Sequence, residues 1–523
     1  MKKFNYETLG VMLDMSRNAV MNLKTLKNYI RIIAKMGYNC IFLYTEDTYE
    51  VEGEPYFGYL RGRDSREEMR EIDAYANDFG VEIIPCIQTL AHLTAISRWQ
   101  QYSMDIPDIL MVDDESTYEL IDKMFATLSE CFKTRIIHVG MDEAHMLGRG
   151  KHLDKYGYET VDGIMKRHLS RVCNIANKYG YDVMIWSDMY FRPWNNGEYL
   201  IEKKTVPNEY IQALPNNVIP VYWDYYSDDY NKYDDMFYNH NQLSEKTWFA
   251  GGAWTWGGFV PHNHASIKCT PPAIQAAKKY GVNNIFITMW GDNGSECSKY
   301  SALPTLFFIA EHVKGNTDNE LIKKRFKNRF GISFDDFLLL DKPNDVAHPE
   351  NDFSPVCPSK YMLYSDPFVG FLDSTVKLGE GAKYIEYASS SRVARYLQEQ
   401  KIYIPRFYNA VKYGYNKTKV LSMPEEMHTA WTTGMVRDII VKDAYLGTYK
   451  TAQTKGISFK NKKRRKNEDC YIFEHRYEPL VDKETWELAN YLMRQTRSGT
   501  ITVEDNIFKG LLFCQGCGKA LRF

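Results

Sequence analysis

Eight times between residues 8 and 315, a short run rich in β-branched and aromatic residues gives way to an amphipathic stretch, often closed by glycine. This alternation restricts the fold more than any other property of the chain. Parallel strands need long crossovers, and a helix is the compact way to make one. The strand-like runs lie at 8–16, 39–47, 81–90, 135–143, 181–189, 218–226, 247–256 and 283–292. In the first stretch between them Leu23, Leu26, Ile30 and Ile33 recur at helical spacing, and in the third Tyr118, Ile121, Phe125, Leu128 and Phe132 do the same. Gly37, Gly80, Gly180 and Gly281 stand where left-handed caps would lead into the next strand. Residues 302–315 close the eighth unit. The pattern predicts an α/β fold, a (β/α)8 TIM barrel, with its functional groups at the carboxyl ends of the strands. A doubly wound open sheet competes, but no Gly-rich phosphate loop follows the first strand.

With 523 residues and 44% hydrophobic content the chain can bury a large core, which excludes a disordered chain or a small disulfide scaffold. The formal net charge of -2 conceals two unlike parts. Residues 391–523 hold 24 Lys+Arg against 14 Asp+Glu, so of the totals of 65 and 67 there remain 41 and 53 in residues 1–390. An acidic part thus precedes a basic one, an asymmetry that points to a segment seeking nucleic acid. Two Pro-rich stretches in 316–390 and the run Ala388, Ser389, Ser390, Ser391 place a boundary near residue 390. The expected domains are a barrel over 1–315, a helical region over 316–390, a smaller α+β DNA-binding-like domain over 391–505 and a terminal piece over 506–523. The start has two lysines but no apolar run like that of a signal peptide, no stretch approaches a membrane span, and the ten cysteines show no framework spacing apart from Cys514 and Cys517. A cytoplasmic protein with free thiols and no membrane partner is expected.

If the barrel is correct, polar and aromatic residues should collect where strands stop. The ends supply Asp14 and Arg17, Glu46 and Asp47, Gln88 and His92, Asp142 and Glu143, Trp186 and Asp188, Trp223 to Tyr226, Trp254 and Trp256, and Trp290 with Asp292. A single tryptophan is most often core or rim packing. Five of the ten tryptophans gathered at one predicted end (Trp186, Trp223, Trp254, Trp256, Trp290) instead form a platform for the apolar face of a sugar ring.

Asp142–Glu143 is the sharpest pair. Asp114–Glu115 opens a helix, where acidic residues complement its dipole, whereas Asp142–Glu143 closes the apolar run RIIHVGM. Adjacent residues inside a strand face opposite ways, so both can reach one site only where the strand frays. Two carboxylates beside aromatic walls suit glycoside cleavage, in which one acid protonates the leaving oxygen. A metal set of His138, Asp142, Glu143 and His145 is the rival. His138 precedes the pair by four strand residues, about 13 Å, too far for one ion.

HVGMDEAHMLG resembles the His-x-Gly-x-Asp-Glu signature of glycoside hydrolase family 20, the exo-β-N-acetylhexosaminidases. MLDMSR, QTLAHL, VYWDYY, GGAWTWGGF and MWGDNGSE resemble that family's other strand ends in order, so the likeness spans roughly residues 8–370. It implies a glycoside or oligosaccharide with terminal β-linked GlcNAc or GalNAc as substrate, no cofactor, and a retaining mechanism. In that mechanism the substrate's own acetamido group attacks the anomeric carbon, giving an oxazolinium intermediate. By the same resemblance Glu143 is the acid and then the base, and Asp142 holds the acetamido N–H. Arg17 binds hydroxyls, Tyr225 donates to the acetamido oxygen, Trp254, Trp256 and Trp290 wall the pocket, and His92 and His138 stand near the substrate. Asp292 occupies a place where many members carry a hydroxyl-binding glutamate, which leaves gluco and galacto configurations both open.

Beyond residue 390, SRVARYLQEQKIYIP, WTTGMVRDIIVKDAYLGTY, HRYEPLVDKETWELAN and NIFKGLLFCQGCGKALRF resemble, in order, the recombinase domain of large serine recombinases and the start of their zinc ribbon. Lys462, Lys463, Arg464, Arg465 and Lys466, with aromatics interleaved nearby, suit phosphate contact, although such a run also serves as a solvated loop. Cys514 and Cys517 provide half of a four-ligand zinc site, so no metal is expected there. In that family a catalytic domain with the nucleophilic serine precedes the recombinase domain. Here a barrel takes its place, which implies a fusion without strand exchange.

Overall fold

In a computed structural model of the chain, the structure describes residues 6–345 except 293, together with shorter runs between 358 and 490. Two compact units divide at Gly381 and Ala382.

The first unit is a closed parallel barrel of eight strands. They are β1 (Thr8–Asp14), β2 (Cys40–Tyr44), β3 (Glu82–Cys86), β4 (Ile136–His138), β5 (Asp182–Trp186), β6 (Val218–Trp223), β7 (Trp248–Gly252) and β8 (Asn284–Met289). Every strand falls inside one of the eight runs marked in the sequence. Neighbours in sequence are neighbours in space, and pairing of Thr8 with Asn284 through Leu13 with Met289 joins β1 to β8 and closes the barrel.

Side chains alternate across this wall, as a period of two requires. Met12, Cys40, Phe42, Tyr44, Ile84 and Cys86 point into the barrel, where Phe42 and Phe286 stack at 4.2 Å. Val11, Leu13, Ile41, Leu43 and Ile83 point outward against the helices. The interior is therefore a packed plug, with Trp186 and Trp248 in it.

Helices α1 (Leu23–Met36), α2 (Arg66–Asp78), α3 (Glu115–Cys131) and α4 (Val161–Lys178) follow β1 to β4. After β5 come only short helices, one turn at Asp188–Phe191 and then α5 (Asn208–Ala213), while α6 (Tyr230–Leu243), α7 (Asn263–Lys279) and α8 (Leu303–Val313) follow the last three strands. Of the residues whose spacing announced them, Leu26, Ile30 and Ile33 of α1 and Tyr118, Ile121, Phe125 and Leu128 of α3 are buried, while Leu23 is half-buried and Phe132 caps α3 in an extended conformation. Asp114 caps α3 through its side chain with Glu115 in the first turn, a structural use of that acidic pair. At Gly37 the helix ends with Tyr38 N–H donating to Ile33 and Gly37 N–H to Ala34; the same reversed pair recurs at Gly80, Gly180 and Gly281, all with positive φ. Helices at Asn319–Phe330 and Phe334–Leu338 continue the unit, with Ile322, Phe326 and Phe334 in its core.

In the second unit, helices at Pro405–Tyr413 and Thr433–Ile440 accompany two antiparallel ribbons, Tyr449–Thr451 with Tyr471–Phe473 and Thr454–Gly456 with Arg464–Lys466. Ile404, Phe407, Ala410 and Val420 form a small core. Among the described residues no helix is long and apolar enough to cross a membrane.

Candidate active site

Strand β4 stops after three residues, and the chain beyond it leaves the extended conformation. Gly140, Met141 and Glu143 have φ of 70°, 69° and 52°, a left-handed run that lets two adjacent carboxylates enter one pocket. This conformation costs a non-glycine residue roughly 1–2 kcal/mol, so the fold must hold it. Gln88, at the end of β3, supplies part of that hold. Its Oε1 accepts the Met141 N–H at 3.3 Å, and its Nε2 donates to Asp142 Oδ1 at 2.9 Å and to the Tyr44 hydroxyl at 3.1 Å. A Cβ built on Gly140 collides with this amide, so glycine is required there for space as well as for φ.

The other Asp142 oxygen faces His92 Nε2 at 3.2 Å, and Glu143 Oε2 lies 3.8 Å from the same nitrogen. Burial works against a charge on His92, but the Asp142 carboxylate outweighs it and lifts the imidazole to about 9. Burial likewise opposes ionisation of Asp142, yet His92 and the Gln88 amide bring it down to about 2. The two form an ion pair. Glu143 shifts the opposite way, raised first by burial and then by the charges of Asp142 and Asp188.

Arg17, after β1, is held by Asp14 Oδ2 at 3.1 Å and Glu46 Oε1 at 3.4 Å, and lies over the rings of Tyr44 at 5.0 Å and Trp290 at 5.4 Å. Arg17, His92, Asp142 and Glu143 line one pocket with Trp186, Trp223, Tyr225, Tyr226, Trp256, Trp290 and Asp292. It encloses about 520 Å³, open solvent at its mouth included. Tyr225 stacks on Trp223 at 5.4 Å and meets Trp256 edge-on at 5.4 Å. Burial raises its hydroxyl well above the ordinary value, so it remains a donor.

Residues 6–237 match the model described as "Glycosyl hydrolase family 20, catalytic domain". The match covers less than half of the chain. Residues 382–496 match the model described as "Recombinase". The chain is similar to Hexosaminidase D of Bos taurus, 24% identical over 234 residues that cover 42% of this chain and 62% of that protein. It is also similar to Beta-hexosaminidase 3 of Arabidopsis thaliana, 25% identical over 241 residues, 41% of this chain and 42% of that one. The chain thus spans less than two thirds of the curated relatives it matches. A solved GH20 beta-N-acetylhexosaminidase from Streptomyces coelicolor A3(2) superposes with a TM-score of 0.48 at 18% identity, covering 64% of this chain and 69% of that one.

Within the barrel, Arg17, His92, Asp142, Glu143, Tyr225, Trp256, Trp290 and Asp292 converge on the pocket. Two expected members do not line it. Trp254 lies behind Trp256, stacked at 4.8 Å, with its indole N–H donating to the Tyr225 carbonyl at 2.9 Å. β7 has ended at Gly252, so the period of two that would have put Trp254 and Trp256 on one face no longer applies. His138 is still within β4 and points into the barrel plug against Trp186 at 4.5 Å. Its Nδ1 accepts the Gly140 N–H at 3.1 Å, and burial lowers it to about 3, so it stays neutral. Trp186, Trp223 and Tyr226 stand in the sequence as strand-end aromatics and prove to be wall residues. Gln88 stands there as a strand-end polar residue, with no role assigned to it.

The metal set that the sequence allows does not assemble, because His138 is buried beneath the pocket and His145 is exposed. Among the described residues His92, Asp142 and Glu143 bring ligand atoms within 4.8 Å, but the first two are committed to each other. Asp113, His152 and Glu159 do so as well, and there Arg167 sits 2.8 Å from both carboxylates.

In the second unit Arg464, Arg465 and Lys466 lie on a ribbon strand and Lys466 is exposed. Lys462, Lys463, Cys514 and Cys517 lie outside the described residues.

Proposed function

We propose that the barrel is a retaining exo-β-N-acetylhexosaminidase that cleaves terminal β-linked GlcNAc or GalNAc with the substrate's acetamido group as nucleophile. The observation that carries this reading is the state of Asp142. Both its oxygens are engaged, by Gln88 and by His92, and it stays charged to about pH 2. A carboxylate so held is a poor nucleophile but a good partner for an N–H and for a growing positive charge. Glu143, raised and half-exposed beside it, is the group with a proton to give. Tyr225 donates to the acetamido oxygen, Arg17 and Asp292 hold ring hydroxyls, and Trp256 and Trp290 receive the apolar face of the sugar.

The sequence likeness to hexosaminidases supports the substrate class. The test replaces the acetamido group. The 4-nitrophenyl glycoside of GlcNAc should release nitrophenol, and the glucoside, which has a hydroxyl at C2, should be a very poor substrate. Comparable turnover of the two would sink substrate assistance.

For residues 382–523 we propose duplex DNA binding without strand exchange, in a natural or assembled fusion. The recombinase match and the basic excess support it. A gel shift with the full chain should weaken steeply with salt and vanish when residues 382–523 are deleted. A shift that survives the deletion refutes it.

A further inference from the structure

Immediately after the pocket tryptophan Trp186 and Ser187, the chain turns into a short helix at Asp188–Phe191, and its first residue carries a carboxylate that does not line the pocket. Asp188 is fully buried. Its Oδ2 accepts the backbone N–H of Glu143 at 3.1 Å and faces Arg192 Nε at 3.4 Å. The turn that carries it is pinned by Ser187, whose hydroxyl meets Tyr199 at 2.9 Å and His240 at 2.8 Å. One residue earlier, Trp186 N–H donates to the Gly140 carbonyl at 3.2 Å. The β5 loop therefore grips both ends of the left-handed run that presents Asp142 and Glu143.

We propose that Asp188 is the positioning residue of the acid–base carboxyl: it anchors the Glu143 backbone in its left-handed conformation and sets a second negative charge against ionisation of Glu143. This inference rests on the proposed glycosidase reading.

A positive φ at a glutamate persists only where the surroundings over-determine it, and an ionised acceptor on that residue's own N–H is the strongest local means. The charges around the pair are asymmetric. Asp188 is faced by Asp142, by Arg192 and by the Trp223 side chain; Glu143 is faced by Asp142 and Asp188 and, on the opposing side, by His92 and His145. Burial, then Asp142, raises Asp188 to about 6, so its charge is present at neutral pH, where Glu143 must hold its proton to act as acid.

Two variants separate the roles. Asp188→Asn keeps an acceptor for the Glu143 N–H and removes the charge. The alkaline limb of kcat/KM on 4-nitrophenyl β-GlcNAc should move to lower pH by about half a unit, with KM within about twofold of wild type. Asp188→Ala removes both, and kcat should fall about 100-fold at little-changed KM. An unmoved limb in Asp188→Asn overturns the charge role, and Asp188→Ala turnover within about threefold of wild type overturns the anchoring role. If Asp188→Ala does not fold, Asp188→Asn alone decides. If the wild-type chain cleaves no glycoside, the glycosidase reading fails by itself. Ionisation of the Glu143 carboxyl, followed as the infrared difference from Glu143→Gln with and without Asp188→Asn, then tests the coupling: a shift supports it, and identical titrations overturn it.

Discussion

Glu143→Gln isolates the acid–base step with little structural cost. The Glu143 side chain is 46% exposed and its nearest charged partner, His92, is 3.8 Å away. The contacts that hold its place belong to its backbone: Asp188 on its N–H and His145 N–H on its carbonyl. Glutamine keeps both, so the thermal midpoint should not move. What disappears is the proton. His92 cannot supply it, because it is committed to Asp142 at 3.2 Å and holds its own proton up to about pH 9. General acid–base catalysis contributes about 10²–10⁴-fold, or about 2.7–5.5 kcal/mol of barrier. The loss should be larger with an alkyl or sugar leaving group than with 4-nitrophenolate, which departs without help; even so, the aryl substrate should lose most of its turnover, because in the proposed mechanism Glu143 also activates water in the second step. Initial rates on both substrate types from pH 4 to 9 measure this. The wild-type alkaline limb, which lies above the ordinary carboxylate range because Glu143 is raised, should vanish in the variant. Near-wild-type aryl turnover, or an alkaline limb that persists unchanged, would refute the assignment of Glu143.

The His92–Asp142 pair makes stability pH-dependent. His92 is raised from 6.5 to about 9, so its contribution is complete below pH 6.5 and is lost as pH rises through 9; Asp142 is lowered from 3.8 to about 2, so its contribution is complete above 3.8 and lost as pH falls through 2. The urea stability of wild type over His92→Gln should therefore be greatest between about pH 4 and 6.5 and shrink toward pH 9; a gap constant from pH 5 to 9 would show that the pair is not coupled. Gly140→Ala should lose about 1–2 kcal/mol from its positive φ alone, and more from displacing the Gln88 amide. Its turnover on aryl β-GlcNAc should fall at least about tenfold, since Gln88 holds Asp142. Unchanged turnover would mean that Gln88 does not orient the site.

The barrel was legible because its strands are buried on both faces and so appear as near-continuous apolar runs. The same signal overstates β4. RIIHVGMDE reads as one strand, yet only Ile136–His138 pair, and Gly140, Met141 and Glu143 beyond them adopt positive φ. Apolar character marks what is buried, not which φ it adopts. Its place at a strand end and the family resemblance put Trp254 in the wall, but β7 stops at Gly252 and the turn beyond it stacks Trp254 against Trp256 instead. The short α5 crossover arises from Pro193, Pro207 and the Asn195–Asn196–Gly197 turn, which leave no room for a long helix after β5. Gln88 and Asp188 reach Asp142 and Glu143 from 54 and 45 residues away, and no local pattern encodes a contact at that separation.

Adjacency in sequence gives Asp142 and Glu143 almost the same position in the barrel, and the proposed chemistry needs them in opposite states. Burial acts on both in the same sense, raising each, so it cannot be what separates them. The separation comes from which neighbours face which carboxylate. Asp142 receives a protonated imidazole and an amide N–H, while Glu143 receives the negative charge of Asp142 itself and that of Asp188. Ionising the first therefore helps to keep the second protonated. The left-handed turn makes this possible, because it turns the two side chains toward different neighbours while leaving both in one pocket. A regular strand would have put one of them in the wall of the barrel, and a single shared environment would have given them the same charge.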